Sequence, residues 1–185
     1  VCDHPCEQGC LRGDLGGAVN LHGLEIFCTE HLGVQTRSLP MPRKQKRIAV
    51  IGAGLAGCEA ALWLADRGVQ VELYEQKPVH FSPAHKSEGF AELICSNSLK
   101  AERLDSASGL LKEEMRRMGS RLLTAAEETR VAAGGALAVD RDAFSAAVTR
   151  MVEACENITV HREQVETIDE SAPILVATGP LTDGA

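Results

Sequence analysis

Apolar and polar positions change their rhythm at Arg47. Ile48-Ala-Val-Ile51 is a short, wholly apolar run, the pattern of a strand buried on both faces. Gly54 to Arg67 is rich in alanine and leucine and closes on Gly68, which predicts a helix with a glycine at its end. Val69 to Glu75 alternates apolar and polar residues, predicting a second strand. Strand, helix and strand in that order make a βαβ unit. Further on, Leu111, Met115, Met118 and Leu122 recur at helical spacing. So do Phe144, Ala147, Val148, Met151, Val152 and Cys155, behind an N-cap at Asp140. Both stripes are expected to face the core. Ile158 to His161, Gln164 to Ile168 and Ile174 to Thr178 read as strands.

Before Arg47 the texture differs. Residues 1–37 are rich in glycine, cysteine and histidine, with a short amphipathic stretch from Leu21 to Phe27, too little for a core of its own. Residues 38–46 carry Pro40, Pro42 and a basic cluster, and read as a stiff, solvated linker rather than an RNA contact. Residues 47–185 then form the main α/β domain. The chain starts at Val1 and stops soon after an apolar strand-like run, so both ends read as cut and a fragment is expected.

Charge and composition narrow the function only a little. A net charge of -7 argues against gripping nucleic acid through bulk positive charge, though a local basic face stays compatible with it. No apolar run approaches the roughly 20 residues of a membrane span, and the first residues lack the layout of a secretory signal. No membrane partner is expected, and the cytoplasm is the default location.

The candidate chemistry begins in the predicted strand-turn-helix, which carries Gly52-Ala53-Gly54-Leu55-Ala56-Gly57, a G-x-G-x-x-G in its required context. Gly52 permits a tight turn, Gly54 lets a pyrophosphate approach the backbone, and Gly57 lets helix and strand pack closely. Glu75 ends the second strand about 20 residues on, where an acid accepts hydrogen bonds from an adenosine ribose and disfavours a 2′-phosphate. FAD or NAD is thus preferred to NADP. Ile174-Leu-Val-Ala-Thr178-Gly179 resembles the late strand of FAD-binding two-dinucleotide-fold flavoproteins, which returns beside the glycine-rich turn. FAD is the cofactor expected at Gly52 to Gly57, Glu75, Thr178 and Gly179, within an incomplete Rossmann-like fold.

Cys58 and Cys155 lie on helical patterns and read as small buried hydrophobes. Cys95 differs. Ser96, Asn97 and Ser98 follow it and can offer hydrogen bonds to a ligand or thiolate, while Lys100 and Arg103 stand near enough in sequence to lower a thiol pKa.

Five stretches carry a resemblance to a known family: Gly52 to Ala61, Phe90-Ala-Glu-Leu-Ile-Cys-Ser-Asn-Ser-Leu99, Gly109 to Arg117, Ala133 to Arg141, and Ala177-Thr-Gly-Pro-Leu181, with Pro83-Ala-His85 beside them. In order and over residues 47 to about 183, they resemble the FAD- and folate-dependent tRNA (uracil-C5)-methyltransferases. The resemblance implies that a one-carbon unit from methylenetetrahydrofolate passes by way of reduced FAD to C5 of a T-loop uridine, with NAD(P)H as reductant and tRNA as partner. It implicates two cysteines. Cys95 matches the first, as base, shield or nucleophile; the second lies in the family's C-terminal half, so this chain alone is expected not to turn over. The large subunit of the tRNA wobble-uridine carboxymethylaminomethylation enzyme shares the Gly57-Cys-Glu-Ala-Ala61 helix and lacks the Cys-Ser-Asn-Ser block. Of the histidines His22, His31, His80, His85 and His161, only His85 falls inside a family block, and the others read as surface residues.

Val1-Cys2-Asp-His-Pro-Cys6-Glu-Gln-Gly-Cys10 lies outside that match. It resembles the iron-sulfur segment of glutamate synthase small subunits, where a cysteine run precedes a linker and an FAD-binding turn. A 4Fe-4S cluster on Cys2, Cys6 and Cys10 is implied, with the fourth thiolate at Cys28 or upstream. A zinc site using His4 and a loop of reduced cysteines remain open readings. Two other functions stand beside the methyltransferase: an iron-sulfur and flavin electron-transfer oxidoreductase, and a non-catalytic cofactor-binding remnant.

Overall fold

The computed structural model describes residues 47–168 and 172–179. Their elements run β1 (Arg47–Ile51), α1 (Leu55–Ala65), β2 (Gln70–Tyr74), β3 (Ser98–Ala101), α2 (Ala107–Arg117), α3 (Arg121–Glu128), β4 (Arg130–Val131), β5 (Ala136–Val139), α4 (Arg141–Glu153), β6 (Ile158–His161) and β7 (Ile174–Val176). The expected α/β class is observed.

The main sheet is wholly parallel, in the order β6-β2-β1-β7. Numbered by their appearance in this sheet the strands read 3-2-1-4, the arrangement of a doubly wound fold, whose order reverses between β1 and β7. The expected βαβ unit is present: β1 pairs in register with β2 from Arg47 opposite Gln70 to Ile51 opposite Tyr74. Only Val50 of β1 is fully buried, while Ile48, Ala49 and Ile51 are half-buried. The strand is therefore central in pairing but not sealed on both faces, and Ile51 looks into a cleft described below.

The second sheet, antiparallel in the order β3-β5-β4, has no counterpart among the expected strands. It is short, and β3 pairs irregularly with β5, with Lys100 at φ +72. Between the sheets the core gathers Leu62, Leu73, Phe90, Leu137, Val139, Phe144, Val148 and Val152, all essentially inaccessible.

Three helices begin on side-chain caps: Ser106 accepts from the Gly109 amide at 3.1 Å, Ser120 from Leu123 at 3.2 Å, and Asp140, as expected, from Ala143 at 2.9 Å. Glu59 of α1 adds its carboxylate to the start of α3, taking the amides of Arg121 at 3.1 Å and Leu122 at 2.9 Å and the Ser120 hydroxyl at 2.8 Å. That placement suits the positive end of a helix.

Several expectations are corrected. The stripe from Leu111 to Leu122 spans two helices, broken at Gly119 with φ +80. Leu111 and Met118 are exposed rather than in the core; with Leu55, Trp63 and Leu175 they line an open apolar groove of about 950 Å³. Met115 and Met151 pack against the core as expected, and Cys155 does so from a position just past the end of α4. Gln164 to Ile168 forms no strand, and β7 ends at Val176 rather than Thr178. His161, read as a surface residue, keeps about a third of its side chain exposed but is engaged on one side: its ring stacks on Tyr74 at 4.6 Å, and Nε2 lies 2.7 Å from Glu72 Oε2. Among the described residues no helix is long and apolar enough to cross a membrane.

Candidate functional site

The site is built at the carboxyl ends of the parallel strands, where β1 and β7 part. Gly52 holds φ +100, and a Cβ there would stand 2.7 Å from the carbonyl oxygen of Ala177. Glycine is thus required both by the dihedral and by the close approach of the β7 exit. A Cβ on Gly57 would come within 1.8 Å of the Gly52 oxygen, so the helix can sit against its own turn only through glycine. Around Gly54 the situation reverses: nothing lies within 4 Å of its missing Cβ.

Ala53, between them, is held from three sides. Its amide donates to Glu75 Oε2 at 3.0 Å, and its carbonyl accepts from the Ala91 amide at 2.8 Å and from Cys58 Sγ at 3.3 Å. The other oxygen of Glu75 takes the Lys77 amide at 3.0 Å. Glu75 is itself buried, at 7 % exposure, so its carboxylate fixes the turn from inside. Burial, followed by the nearby negative charge of Glu75, pushes the Cys58 thiol up to about 12. Cys58 is an inert packing thiol, as expected from the sequence.

Gly54 caps α1 without a side-chain hydrogen bond, and Gly54, Leu55 and Ala56 are exposed. The first-turn amides of this helix therefore lack the hydroxyl or carboxylate cap that α2, α3 and α4 each have. Beside them opens a cleft of about 500 Å³, lined by Gly52, Ala53, Gly54, Glu75 and Thr178 among others. The residues present fit a dinucleotide: an uncapped helix start, an open face at Gly54 and a fixed acid at the end of β2.

The sequence-predicted residues divide. Gly52, Ala53, Gly54, Glu75 and Thr178 share the cleft, with Gly179, at φ +79, following Thr178. The Leu55 and Ala56 side chains face the apolar groove instead, and Gly57 is buried beneath the turn. Cys95 is exposed, in the irregular segment before β3, and is outside the cleft lining. Its polar neighbours serve the backbone. Ser96 Oγ accepts from the Ser98 amide at 3.0 Å, Ser98 Oγ from Lys100 at 3.1 Å, and Asn97 Nδ2 donates to the Val139 carbonyl at 3.2 Å. Arg103 pairs with Asp105. Cys2, Cys6, Cys10, Cys28 and His4 lie outside the described residues; among the described ones no cluster of three or more metal-ligating side chains occurs.

Several lining residues were not anticipated: Gln76, His80, Ser82, Glu163, Gln164 and Glu166; His85, the histidine inside a family-like block, lines the cleft with them. The signal that locates them is topological, since residues just past the carboxyl ends of parallel strands line the crevice. For 164–168 that signal was hidden by reading the segment as a strand.

The fold and the turn define a class, a doubly wound, Rossmann-like α/β domain with a glycine-rich first β–α connection. Within that class the chain belongs to the glucose inhibited division protein A family, whose sequence model matches residues 47–184. Among curated relatives it is 57% identical over 140 residues to a protein of Exiguobacterium sibiricum named methylenetetrahydrofolate–tRNA-(uracil-5-)-methyltransferase TrmFO, covering 76% of this chain and 32% of that one. The protein of the same name in Koribacter versatilis is 59% identical over 140 residues, covering 75% and 32%. The chain thus spans about a third of the length of these relatives. A solved structure of a GidA-related protein from Thermus thermophilus aligns at 20% identity with a TM-score of 0.34, covering 64% of this chain and 38% of that one.

Proposed function

We propose that this chain is the FAD-binding part of a flavoenzyme that transfers a one-carbon unit from methylenetetrahydrofolate to C5 of a T-loop uridine in tRNA, in the cytoplasm. The observation that carries the cofactor is the open face of Gly54, in a turn whose central amide is pinned by Glu75. The transfer to tRNA is supported by the name that relatives 52% to 59% identical to this chain bear.

In this reading the amides at the start of α1 hold the diphosphate, and Glu75 fixes the turn that presents them while facing the adenosine ribose. Bound FAD would supply the redox chemistry, and NAD(P)H its electrons. Thr178 and Gly179 close the site from the β7 side. Uracil C5 becomes nucleophilic only when a thiolate adds at C6, and a base must later take the C5 proton before the thiolate leaves. Cys95, exposed and outside the cofactor cleft, is offered as one of these two groups or as a shield of the flavin. The other belongs to the part of the relatives that this chain does not span. A 4Fe-4S cluster on Cys2, Cys6 and Cys10 is carried in the proposal on the resemblance of that stretch to the iron-sulfur segment of glutamate synthase small subunits.

The test is two titrations. Reconstituted chain is expected to bind FAD with an absorbance band near about 450 nm and to prefer a T-arm hairpin RNA over an anticodon-arm hairpin. A chain that stays colourless overturns the cofactor. Equal affinity for the two hairpins, or none, overturns the tRNA assignment and leaves an electron-transfer flavoprotein.

A further inference from the structure

We propose that His85, its ring fixed by Ser82, donates a hydrogen bond to the diphosphate of the dinucleotide in the cleft. This rests on the cofactor reading above and adds a ligand from outside the glycine-rich turn.

Ser82 and His85 both line the cleft. The Ser82 hydroxyl lies 2.6 Å from His85 Nδ1, and the turn between them is closed by the His85 amide on the Ser82 carbonyl at 3.1 Å. Ser82 is 4% exposed, and among the described residues its hydroxyl bonds only this ring nitrogen. Were Nδ1 the protonated nitrogen, it would donate to Oγ and leave a buried hydroxyl hydrogen with no acceptor, which costs more than an ordinary hydrogen bond returns. The satisfied arrangement has Ser82 donating to Nδ1. Nε2 then carries the hydrogen, and it belongs to a half-buried ring on the wall of the cleft.

A diphosphate needs such a donor here. Glu75, Glu163 and Glu166 bring carboxylates to the lining, and no lysine or arginine is among the lining residues described. The amides of α1 supply one set of donors. An imidazole N–H held in one orientation supplies another, at little cost in rotamer freedom because its ring is already locked. An uncharged ligand part such as adenosine gains far less from that donor, since hydrogen bonds to ionised oxygens are about twice as strong as neutral ones.

Affinities of the full chain for FAD, ADP and adenosine, by flavin fluorescence and calorimetry, test the assignment. His85→Ala is expected to weaken FAD and ADP about tenfold and leave adenosine within about twofold, while His85→Gln, which keeps a donor near Nε2, retains most of the affinity. Should His85→Ala fail to fold, as judged by circular dichroism, His85→Leu carries the same comparison. Ser82 is a positioning residue. In its Ala variant the imidazole 15N spectrum is expected to lose the single Nε2–H tautomer, with a smaller loss of ADP affinity, and Ser82→Thr to restore both. Unchanged ADP affinity in His85→Ala, or an equal loss for adenosine, overturns the inference while wild-type FAD binding leaves the cofactor reading standing. If the wild-type chain binds neither FAD nor ADP, both fall together.

Discussion

The carboxylate of Glu75 accepts the amide hydrogen of Ala53 at 3.0 Å across 22 residues of sequence, tying the end of β2 to the middle of the glycine-rich turn. Its second oxygen holds the Lys77 amide, and the side chain is buried. Glu75→Ala therefore orphans two amides near the protein interior, each worth about 1–3 kcal/mol. The expected loss is on the order of 3 kcal/mol in denaturant unfolding, with weaker FAD binding as the turn loosens. Glu75→Gln keeps one acceptor oxygen and is expected to lose about half as much. A Glu75→Ala chain as stable as the wild type would show that the turn stands without this tie.

Two glycines of the turn separate folding from binding. A Cβ at Gly57 would meet the Gly52 oxygen at 1.8 Å, which backbone on both sides cannot yield, whereas a Cβ at Gly54 meets nothing within 4 Å. Gly54 also has φ -74, open to any residue. Gly57→Ala is expected to cost about 2–4 kcal/mol or abolish folding. Gly54→Ala is expected to leave the melting temperature unchanged within about 2 °C and to reduce FAD affinity at least tenfold, because the methyl group occupies the approach of the diphosphate. Thermal unfolding and an FAD titration of the two variants, side by side, check both halves of the claim.

The parts of the fold legible in the sequence were those set by local periodicity and by glycine. Ile48 to Glu75 reads as strand, helix and strand because pattern, the glycine-rich turn and the Gly68 stop all agree, and the structure follows within a residue or two. What failed was whatever tertiary contact decides. Ser98–Ala101 is a strand because it pairs with Ala136–Val139, which pairs on its other side with Arg130–Val131; four residues or fewer carry too little pattern to announce that. Leu111 and Met118 keep helical spacing, but spacing cannot say whether a stripe meets a core or an open groove. At the site, the glycine-rich turn and Glu75 were visible as a motif. The Ser82–His85 pair was not, because it depends on where the irregular segment after β2 folds back.

The two thiols in the family-like blocks are set apart by burial. Cys58 is fully buried with its thiol pushed up to about 12 by that burial, so it stays protonated and unreactive near neutral pH. Cys95 is exposed. Brief treatment of native chain with iodoacetamide, followed by peptide mass mapping, is expected to modify Cys95 and to leave Cys58 untouched until denaturant is added. Native-state labelling of Cys58 would contradict its packed position behind the Ala53 carbonyl. Cys95→Ser is expected to leave FAD affinity within about twofold, since Cys95 is outside the cofactor cleft.

Acid sensitivity should trace to one surface network. Arg130, at the start of β4, takes both oxygens of Glu102 at 2.6 Å, and it also holds Glu127 of α3 at 2.5 Å. Arg116 of α2 joins Glu127 at 2.7 Å and Glu102 at 3.3 Å, so the network ties α2, α3 and the second sheet together. The hydrogen bond from Arg130, then its charge and that of Arg116, holds the Glu102 carboxyl below its ordinary value of 4.5. For Glu127 burial pushes upward, and the bonds from Arg130 and Arg116 overcome it, leaving that carboxyl low as well. A carboxyl lowered in the folded state binds its proton more readily in the unfolded chain. Its contribution is therefore complete above that ordinary value, which the unfolded chain keeps, and is lost as pH falls through the lower folded value. Screening keeps the effect small because the groups are partly exposed. Glu102→Gln is expected to lower the melting temperature slightly at neutral pH and to converge on the wild type as the medium is taken below about pH 4. A gap between the two curves that widened on acidification would carry the opposite sign, and the network would then not be what makes the fold acid-sensitive.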